Sequence, residues 1–124
     1  MNNSPEPEHK IEALAEATAD ANQLDEAVRI EVARIVVELH RNPHYGELMG
    51  DKPPRVLRGC RKVRFDEQAW RGKPRFRFVY RNEPADGAPA TSLILAIGRR
   101  DRMIDYAKAA RRVKERVALE GRSE

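Results

Sequence analysis

The feature that most constrains the fold is an apolar run, SLILAIG, at residues 92–98. A strand with one face in water alternates apolar and polar side chains, but this run is apolar on both alternating sets. Strands of this kind lie inside a sheet that is covered on both faces. We therefore expect a central strand here, with other parts of the chain packed against each side of it.

Two shorter runs before it alternate in the manner of strands. RKVRF occupies residues 61–65 and RFRFVY occupies residues 75–80. Successive side chains on a strand point to opposite faces, so each run has one apolar or aromatic face and one basic face. The basic faces together carry four cations: Lys62, Arg64, Arg75 and Arg77. The central strand then ends in Gly98-Arg99-Arg100, which adds two cations beside the same surface.

Helical spacing dominates the rest of the chain. A weak apolar stripe predicts a helix over residues 8–22, and a stronger one predicts a second helix over residues 24–41, which Asn42-Pro43 ends. Residues 101–119 predict a last helix. The intervening segments, rich in Gly and Pro, are expected to be connections, at residues 42–59, 66–74 and 82–91.

These elements predict one α+β domain spanning residues 1–124, with residues 1–7 as a disordered tail. The two N-terminal helices form a hairpin that packs on the aromatic face of a three- or four-stranded antiparallel sheet, and a C-terminal helix follows. The three basic or apolar strands form an antiparallel meander.

The charge is unevenly distributed along the chain. Residues 1–50 carry four Lys and Arg against ten Asp and Glu, a formal charge of −6, and residues 51–124 carry twenty against ten, a charge of +10. The basic second half is mostly arginine, whose planar guanidinium suits phosphate oxygens. A polyanion is therefore the expected partner.

Cysteine, histidine and hydropathy limit other functions. The single Cys60 cannot form an internal disulfide and is expected to be a small packing residue. His40 and His44 have a ligand-like spacing, but Pro43 lies between them and no further ligand is evident, so no metal site is expected. No apolar run is long enough for a membrane span and no N-terminal apolar segment indicates a leader. We expect a cytoplasmic protein.

Trp70 lies in a charged loop, and the sequence leaves two roles open for it. Its ring either stacks on RNA or folds back as a lid.

Three segments carry a resemblance to a known family: LRGCRKVRF, RFRFVYR and LAIGRRDRMIDYAKAARR. In this order they resemble the RelE family of toxins from type II toxin–antitoxin modules, within the RelE/ParE superfamily, over residues 11–112. The resemblance implies a RelE-like fold and a ribosome-dependent, metal-independent endoribonuclease that cuts messenger RNA. Carried over by position, the catalytic set is Lys62, Arg64, Arg77, Arg100 and Tyr106.

The implied roles follow from RNA cleavage by the 2′-hydroxyl. Arg77 and Arg100 hold the phosphate and its developing charge, and Lys62 assists proton transfer or stabilises charge at the 2′-oxygen. Arg64 positions the backbone and Tyr106 stacks on or orients a base, although a tyrosine can equally cap a core with its hydroxyl in water. Four further cations are expected to bind RNA: Arg61, Arg75, Arg99 and Arg102. No cofactor is implied.

The chain departs from the family pattern at two points. Residues 1–10 show no strand character, so the first strand of the family is expected to be absent. Arg64 stands where many family nucleases have a lysine, and an arginine does not readily lose its proton.

The resemblance also implies partners: a cognate antitoxin, commonly acidic, together with the ribosome and messenger RNA. Operator DNA would be bound only indirectly, through the antitoxin, and no membrane is involved. Two alternatives stay open, a ParE-like inhibitor of DNA gyrase and a catalytically silent basic module that binds RNA or ribosomes. Without the resemblance, a basic strand face is more often a solvated surface than a catalytic site.

Overall fold

The computed structural model describes residues 9–50, 57–99 and 109–116. Its elements, in chain order, are β1 Lys10–Ala13, α1 Ala15–Asn22, α2 Glu26–Arg41, β2 Glu47–Leu48, β3 Arg61–Phe65, β4 Phe76–Ala85 and β5 Ala88–Arg99. Residues 109–116 are also helical, and this described part of the last helix is called α3.

The strands form one five-stranded sheet in the order β1-β5-β4-β3-β2. β3, β4 and β5 pair antiparallel, which confirms the predicted meander. β1 pairs parallel to β5 and the two-residue β2 pairs antiparallel to β3. The class predicted from the sequence is confirmed, but the sheet has five strands and is mixed.

An apolar layer lies on each face of the sheet. On one face, α1 and α2 cover the aromatic side chains; the buried members from the strands are Phe65, Phe76, Phe78, Tyr80, Ile94 and Ile97. On the other face, α3 covers a second cluster; its members from the strands are Val79, Leu93, Leu95 and Ala96. β5 therefore contributes to both layers, as its apolar sequence predicts. Burial of each large side chain here stabilises the fold by about 1.5–3 kcal/mol.

β1 corrects the prediction for the N-terminal segment. The sequence predicts a helix from residue 8 and no first strand, but Lys10–Ala13 pairs with β5 from Thr91 to Ile94. Leu14 is extended, with φ −61° and ψ 146°, and helix α1 begins only after it. A four-residue strand is too short for its alternation to show, and backbone pairing with β5 stabilises it. A strand is therefore present before α1, where the sequence predicts none.

The connection predicted over residues 82–91 is also wrong. β4 continues to Ala85 and β5 begins at Ala88, so only Asp86-Gly87 lies between them. Asp-Gly is a preferred pair for a two-residue hairpin turn. Pro84 and Pro89 pair with each other at the end of the hairpin, where the register shifts, so the prolines do not prevent pairing.

The remaining helical predictions are confirmed where the structure describes the chain. α2 begins at Glu26 and ends before Asn42-Pro43, close to the predicted 24–41. Within the predicted last helix, residues 109–116 are helical, while the other residues of that helix and the predicted tail at residues 1–7 lie outside the described residues. Among the described helices, none has the length and hydropathy needed to cross a membrane.

A close approach fixes the segment between α2 and β3. Gly46 lies against Tyr80, and a Cβ added at Gly46 would come within 2.8 Å of Tyr80 Cε1. The Gly46 amide donates to the Tyr80 hydroxyl at 2.9 Å, and that hydroxyl donates to the Pro43 carbonyl at 2.8 Å. This pairing holds β2 at the edge of β3.

Candidate functional site

Strand register brings three of the predicted catalytic cations to one face. Arg64 on β3 is directly opposite Arg77 on β4, and Lys62 lies two residues along on the same side of β3. Directly opposed side chains have Cβ atoms about 4.5–5.5 Å apart. On the next strand the position opposite Arg77 is Gly98, which has no side chain. We call Lys62, Arg64 and Arg77 the cation face.

Arg77 is held tightly at the start of β4. Its side chain is almost buried, with 4% of the residue exposed. Nη1 donates to the carbonyls of Phe76 at 3.1 Å and Pro74 at 3.4 Å, while Nε has no hydrogen-bond partner. A buried, unsatisfied donor on a cation is costly, and an anion bound there would remove that cost.

Arg64 is the accessible member of the pair. Its side chain is 52% exposed, and its ion pair with Glu47 is long, at 4.0 Å. Like charges directly opposed across two strands destabilise a sheet. A bound phosphate would relieve the repulsion between Arg64 and Arg77, since arginine pairs well with phosphate oxygens.

Arg61 does not join the cation face. It is one residue before Lys62 and so points to the opposite face, where Nε and Nη2 donate to the two carboxylate oxygens of Asp86 at 2.9 and 2.8 Å. Its Nη1 donates to the Gly46 carbonyl at 2.7 Å. The hydrogen bonds that Arg61 donates to Asp86 raise the pKa of Arg61, and the same contact lowers the pKa of Asp86. Arg61 thus fastens β3 to the β4–β5 turn.

Arg75 precedes the first residue of β4 and also binds a carboxylate. Nε and Nη2 donate to Asp66, both at 2.9 Å, and the guanidinium carbon lies 3.5 Å from the centre of the Trp70 ring. Burial of Asp66 acts to raise the pKa of this carboxyl, but hydrogen bonds from Arg75 and from the Glu67 amide, with the charge of Arg75, together outweigh burial and lower it. The structure does not bring Arg75 to the cation face.

The other predicted site residues lie near or beyond the end of β5. Arg99 is exposed and opposite Phe76, so the register assigns it to the face away from Arg77. Arg100, Arg102 and Tyr106 lie outside the described residues. Within the described segments, no group of three or more His, Cys, Asp or Glu is placed to hold a metal ion.

A groove on the α2 side of the sheet, next to Arg64, was not expected from the sequence. It has a volume of about 490 Å³ and lies between α2 and the β3–β4 loop, with Arg64 at its wall. Besides Arg64, its polar and aromatic lining residues are Glu31, Arg34, Glu38, Tyr45, Asp66, Glu67 and Trp70. The spacing of Glu31 and Glu38, two helical turns apart, was the available signal, but nothing in the sequence brings the β3–β4 loop to that side of α2.

Comparison with known proteins finds similarity in structure alone. No protein-family model matches the sequence, and neither does any curated protein. The free Escherichia coli toxin RelE, with two arginines replaced by alanine, is 17% identical with a TM-score of 0.61, over 85% of this chain and 97% of that one. The RelBE2 toxin–antitoxin complex of Mycobacterium tuberculosis contains a chain that is 20% identical with a TM-score of 0.54, over 75% and 99%. This chain has the RelE fold.

The intact E. coli RelBE toxin–antitoxin complex gives the same result, at 17% identity and a TM-score of 0.53, over 73% of this chain and 95% of that one. Each of these matches covers nearly the whole length of the solved chain. The expectation of fold that the sequence resemblance carried is confirmed.

Proposed function

We propose that this chain is the toxin of a type II toxin–antitoxin pair and that it cleaves messenger RNA on the ribosome. One observation carries the proposal. On the sheet of a RelE-fold chain, Arg64 and Arg77 are directly opposed, and Lys62 lies beside them on the same face. Three positions of the catalytic set implied by the resemblance are thus adjacent.

The chemistry uses a nucleophile that RNA itself carries. The 2′-oxygen loses its proton and attacks the adjacent phosphorus, a bond forms between them, and the bond to the 5′-oxygen breaks as that oxygen gains a proton. The products are a 2′,3′-cyclic phosphate and a free 5′-hydroxyl. Catalysis then requires in-line alignment and stabilisation of the added negative charge, both of which a fixed cluster of cations supplies.

Each residue has a role in this scheme. Arg77, fixed by backbone carbonyls, stabilises charge on the phosphate, and Lys62 assists proton transfer or stabilises charge at the 2′-oxygen. Arg64 positions the RNA backbone and is not a base, because its guanidinium remains protonated. The resemblance adds Arg100 at the phosphate and Tyr106 at a base. The set contains neither histidine nor carboxylate, so proton transfer is poor without the alignment that a ribosome gives.

The partner we propose is an acidic antitoxin. Two of the similar structures are complexes of a toxin with its antitoxin, and another is E. coli RelE with a peptide of the antitoxin RelB. The charge of +10 on residues 51–124 of this chain suits an acidic ligand. Such a complex would act in the cytoplasm and bind operator DNA only through the antitoxin.

The test is cleavage of a message on programmed ribosomes by the wild type and by Arg77→Ala. Loss of one charge-stabilising group typically reduces turnover about 10²–10³-fold. Arg81→Ala is the matched control, since Arg81 lies on the same strand four residues further on and pairs with Glu83. We expect 5′ ends phased to codons for the wild type and the control, and none above background for Arg77→Ala.

Three results would overturn the proposal. If Arg77→Ala loses ribosome binding in step with activity, the chain is a binding module. If the wild type arrests growth without new 5′ ends, gyrase inhibition takes its place. If Arg77→Ala cuts as well as the wild type while folded by circular dichroism, the cation face is not catalytic.

A further inference from the structure

The β3–β4 loop holds Trp70 in one orientation. The Asp66 carboxylate accepts hydrogen bonds from the backbone N–H groups of Glu67 at 2.8 Å and Arg75 at 2.9 Å, which closes the loop at its base. The Trp70 amide donates to the Glu67 carbonyl at 3.1 Å, and the indole Nε1 donates to the Lys73 carbonyl at 2.9 Å. The backbone N–H and the indole N–H of Trp70 therefore both have a hydrogen-bond acceptor inside the loop.

One face of the indole is covered by a cation that is itself fixed. The guanidinium of Arg75 lies 3.5 Å from the ring centre and is clamped by Asp66. Trp70 remains 39% exposed and belongs to neither apolar layer of the described chain. Trp70 is thus no lid over the core, and it presents a pre-organised aromatic surface. A rigid aromatic surface pays little entropy when a flat ligand stacks on it.

The groove that Trp70 lines carries more carboxylates than cations, since only Arg34, which pairs with Glu31 at 3.7 Å, and Arg64 contribute positive charge to its lining. Glu31, Glu38 and Glu67 line it, and ionised carboxylates accept hydrogen bonds but cannot donate them. They repel a phosphate and suit a group that carries amino hydrogens. Arg71 and Lys73, on the same loop as Trp70, are exposed beside it. A nucleotide has this division of chemistry, with a flat base for the groove and a phosphate for the cations.

We propose that this groove binds one unpaired base of the RNA, with Trp70 as its stacking platform and a groove carboxylate as acceptor for the base's amino group. Arg64 lines the groove and also belongs to the cation face, which lies on the other side of the sheet, so an RNA chain that passes round this edge of β3 reaches both the groove and the phosphate site. Cytosine carries an amino group where uracil carries a carbonyl oxygen, and carboxylates accept from the cytosine amino group. The groove therefore prefers cytosine to uracil. The inference rests on the proposed function for its RNA substrate and adds base selection to it.

Trp70 is the single tryptophan of the chain, so its fluorescence reports the groove directly. The probes are short oligocytidine and oligouridine with 2′-O-methyl sugars, which lack the nucleophile and are not cleaved. Stacking on the indole quenches its emission, so we expect saturable quenching by oligocytidine, and binding of oligouridine about tenfold weaker.

Variants locate the effect, measured by anisotropy of a dye-labelled oligocytidine. Stacking contributes enough that Trp70→Ala lowers affinity about tenfold or more, whereas Trp70→Phe retains part of it. Glu67→Gln should reduce the difference in affinity between oligocytidine and oligouridine. Ile30→Ala removes an exposed apolar side chain on α2 that does not line the groove, and it leaves affinity unchanged.

Absence of quenching, or full affinity in Trp70→Ala, would overturn the base site. Equal binding of the two probes would overturn the role of the carboxylates. The proposed function fails separately: codon-phased cleavage without quenching leaves the nuclease intact and removes the groove from it. Quenching without cleavage leaves an RNA-binding groove on a chain that is not a nuclease.

Discussion

At the scale of single residues, alternation predicts the face of a side chain, but neighbours from distant parts of the chain decide its use. Arg61 and Arg64 are three residues apart and read alike in the sequence. Arg61 donates two hydrogen bonds to Asp86, 25 residues away in the chain, whereas the ion pair that the described residues show for Arg64 is the long one with Glu47. The first arginine therefore joins two parts of the described chain, and the second is the one that the proposed function assigns to RNA.

The contact between Arg61 and Asp86 makes the stability of the fold depend on pH. The hydrogen bond from Arg61 lowers the pKa of Asp86 below its unfolded value, so the stabilisation is complete above the unfolded pKa and is lost as pH falls through the folded one. We expect urea unfolding of the wild type to show falling stability below about pH 4, the unfolded value of an aspartate. Asp86→Asn should lose about 1–2 kcal/mol near neutral pH and show a shallower decline in acid.

Asp66 keeps its own lowered pKa in that variant, so part of the acid dependence persists. Asp86→Asn with unchanged stability at neutral pH would mean that the Arg61 contact contributes nothing. Glu47→Gln is the control, because its contact with Arg64 is long and exposed.

At the scale of elements, a buried ion pair joins α1, β5 and α3. Nη1 of Arg112 donates to Asp20 at 2.8 Å and to the Leu95 carbonyl at 2.6 Å, and Asp20 accepts from the amide of Ile97 at 3.2 Å. The register between β4 and β5 shifts at Leu95, and a shift of this kind releases a backbone group from the ladder. Arg112 binds the released group, the Leu95 carbonyl, and the ion pair thereby holds α1 and α3 against β5.

Removal of one charge from this pair should strongly reduce the stability of the fold. Asp20→Asn keeps an acceptor for the Ile97 amide but leaves the buried Arg112 guanidinium without its charged partner. Loss of one partner of a buried ion pair reduces the free energy of unfolding by about 3–5 kcal/mol. The measurement is the free energy of unfolding in urea. Arg111→Ala, the exposed neighbour on α3, should change it by no more than about 0.5 kcal/mol. Equal effects of the two substitutions would show that the pair is not structurally important.

At the scale of the whole molecule, the sheet separates two layers, and Cys60 reports on the one under α3. Cys60 is 1% exposed, and burial raises the pKa of its thiol to about 11. Alkylation requires the thiolate, so native protein at about pH 8 should react far more slowly than a free thiol. Denaturant should restore the ordinary rate.

The labelling rate of Cys60 also depends on the ion pair between Asp20 and Arg112, because that pair holds α3 over the layer that contains Cys60. Asp20→Asn loosens α3 and should speed the reaction of Cys60 in the absence of denaturant. Fast labelling of the wild type would contradict the two-layer arrangement, whereas Arg111→Ala should label as slowly as the wild type.

The sequence by itself determined the elements whose pattern follows from local backbone geometry. Periodicity predicted α2, all of β3, the burial of β5 on both faces and the shared face of Lys62, Arg64 and Arg77, because side-chain direction repeats with the backbone. The resemblance of three segments predicted the RelE fold that structural comparison then confirmed.

Only the tertiary structure decided the rest, because the deciding contacts join residues far apart in the chain. β1 forms by pairing with β5, some eighty residues later in the chain, and four residues are too few for the alternation of a strand to be recognised in the sequence. Asp86 and Asp66 engage Arg61 and Arg75, which the sequence alone assigned to RNA. The groove beside Trp70 forms where a loop meets a helix, and no local propensity specifies that meeting.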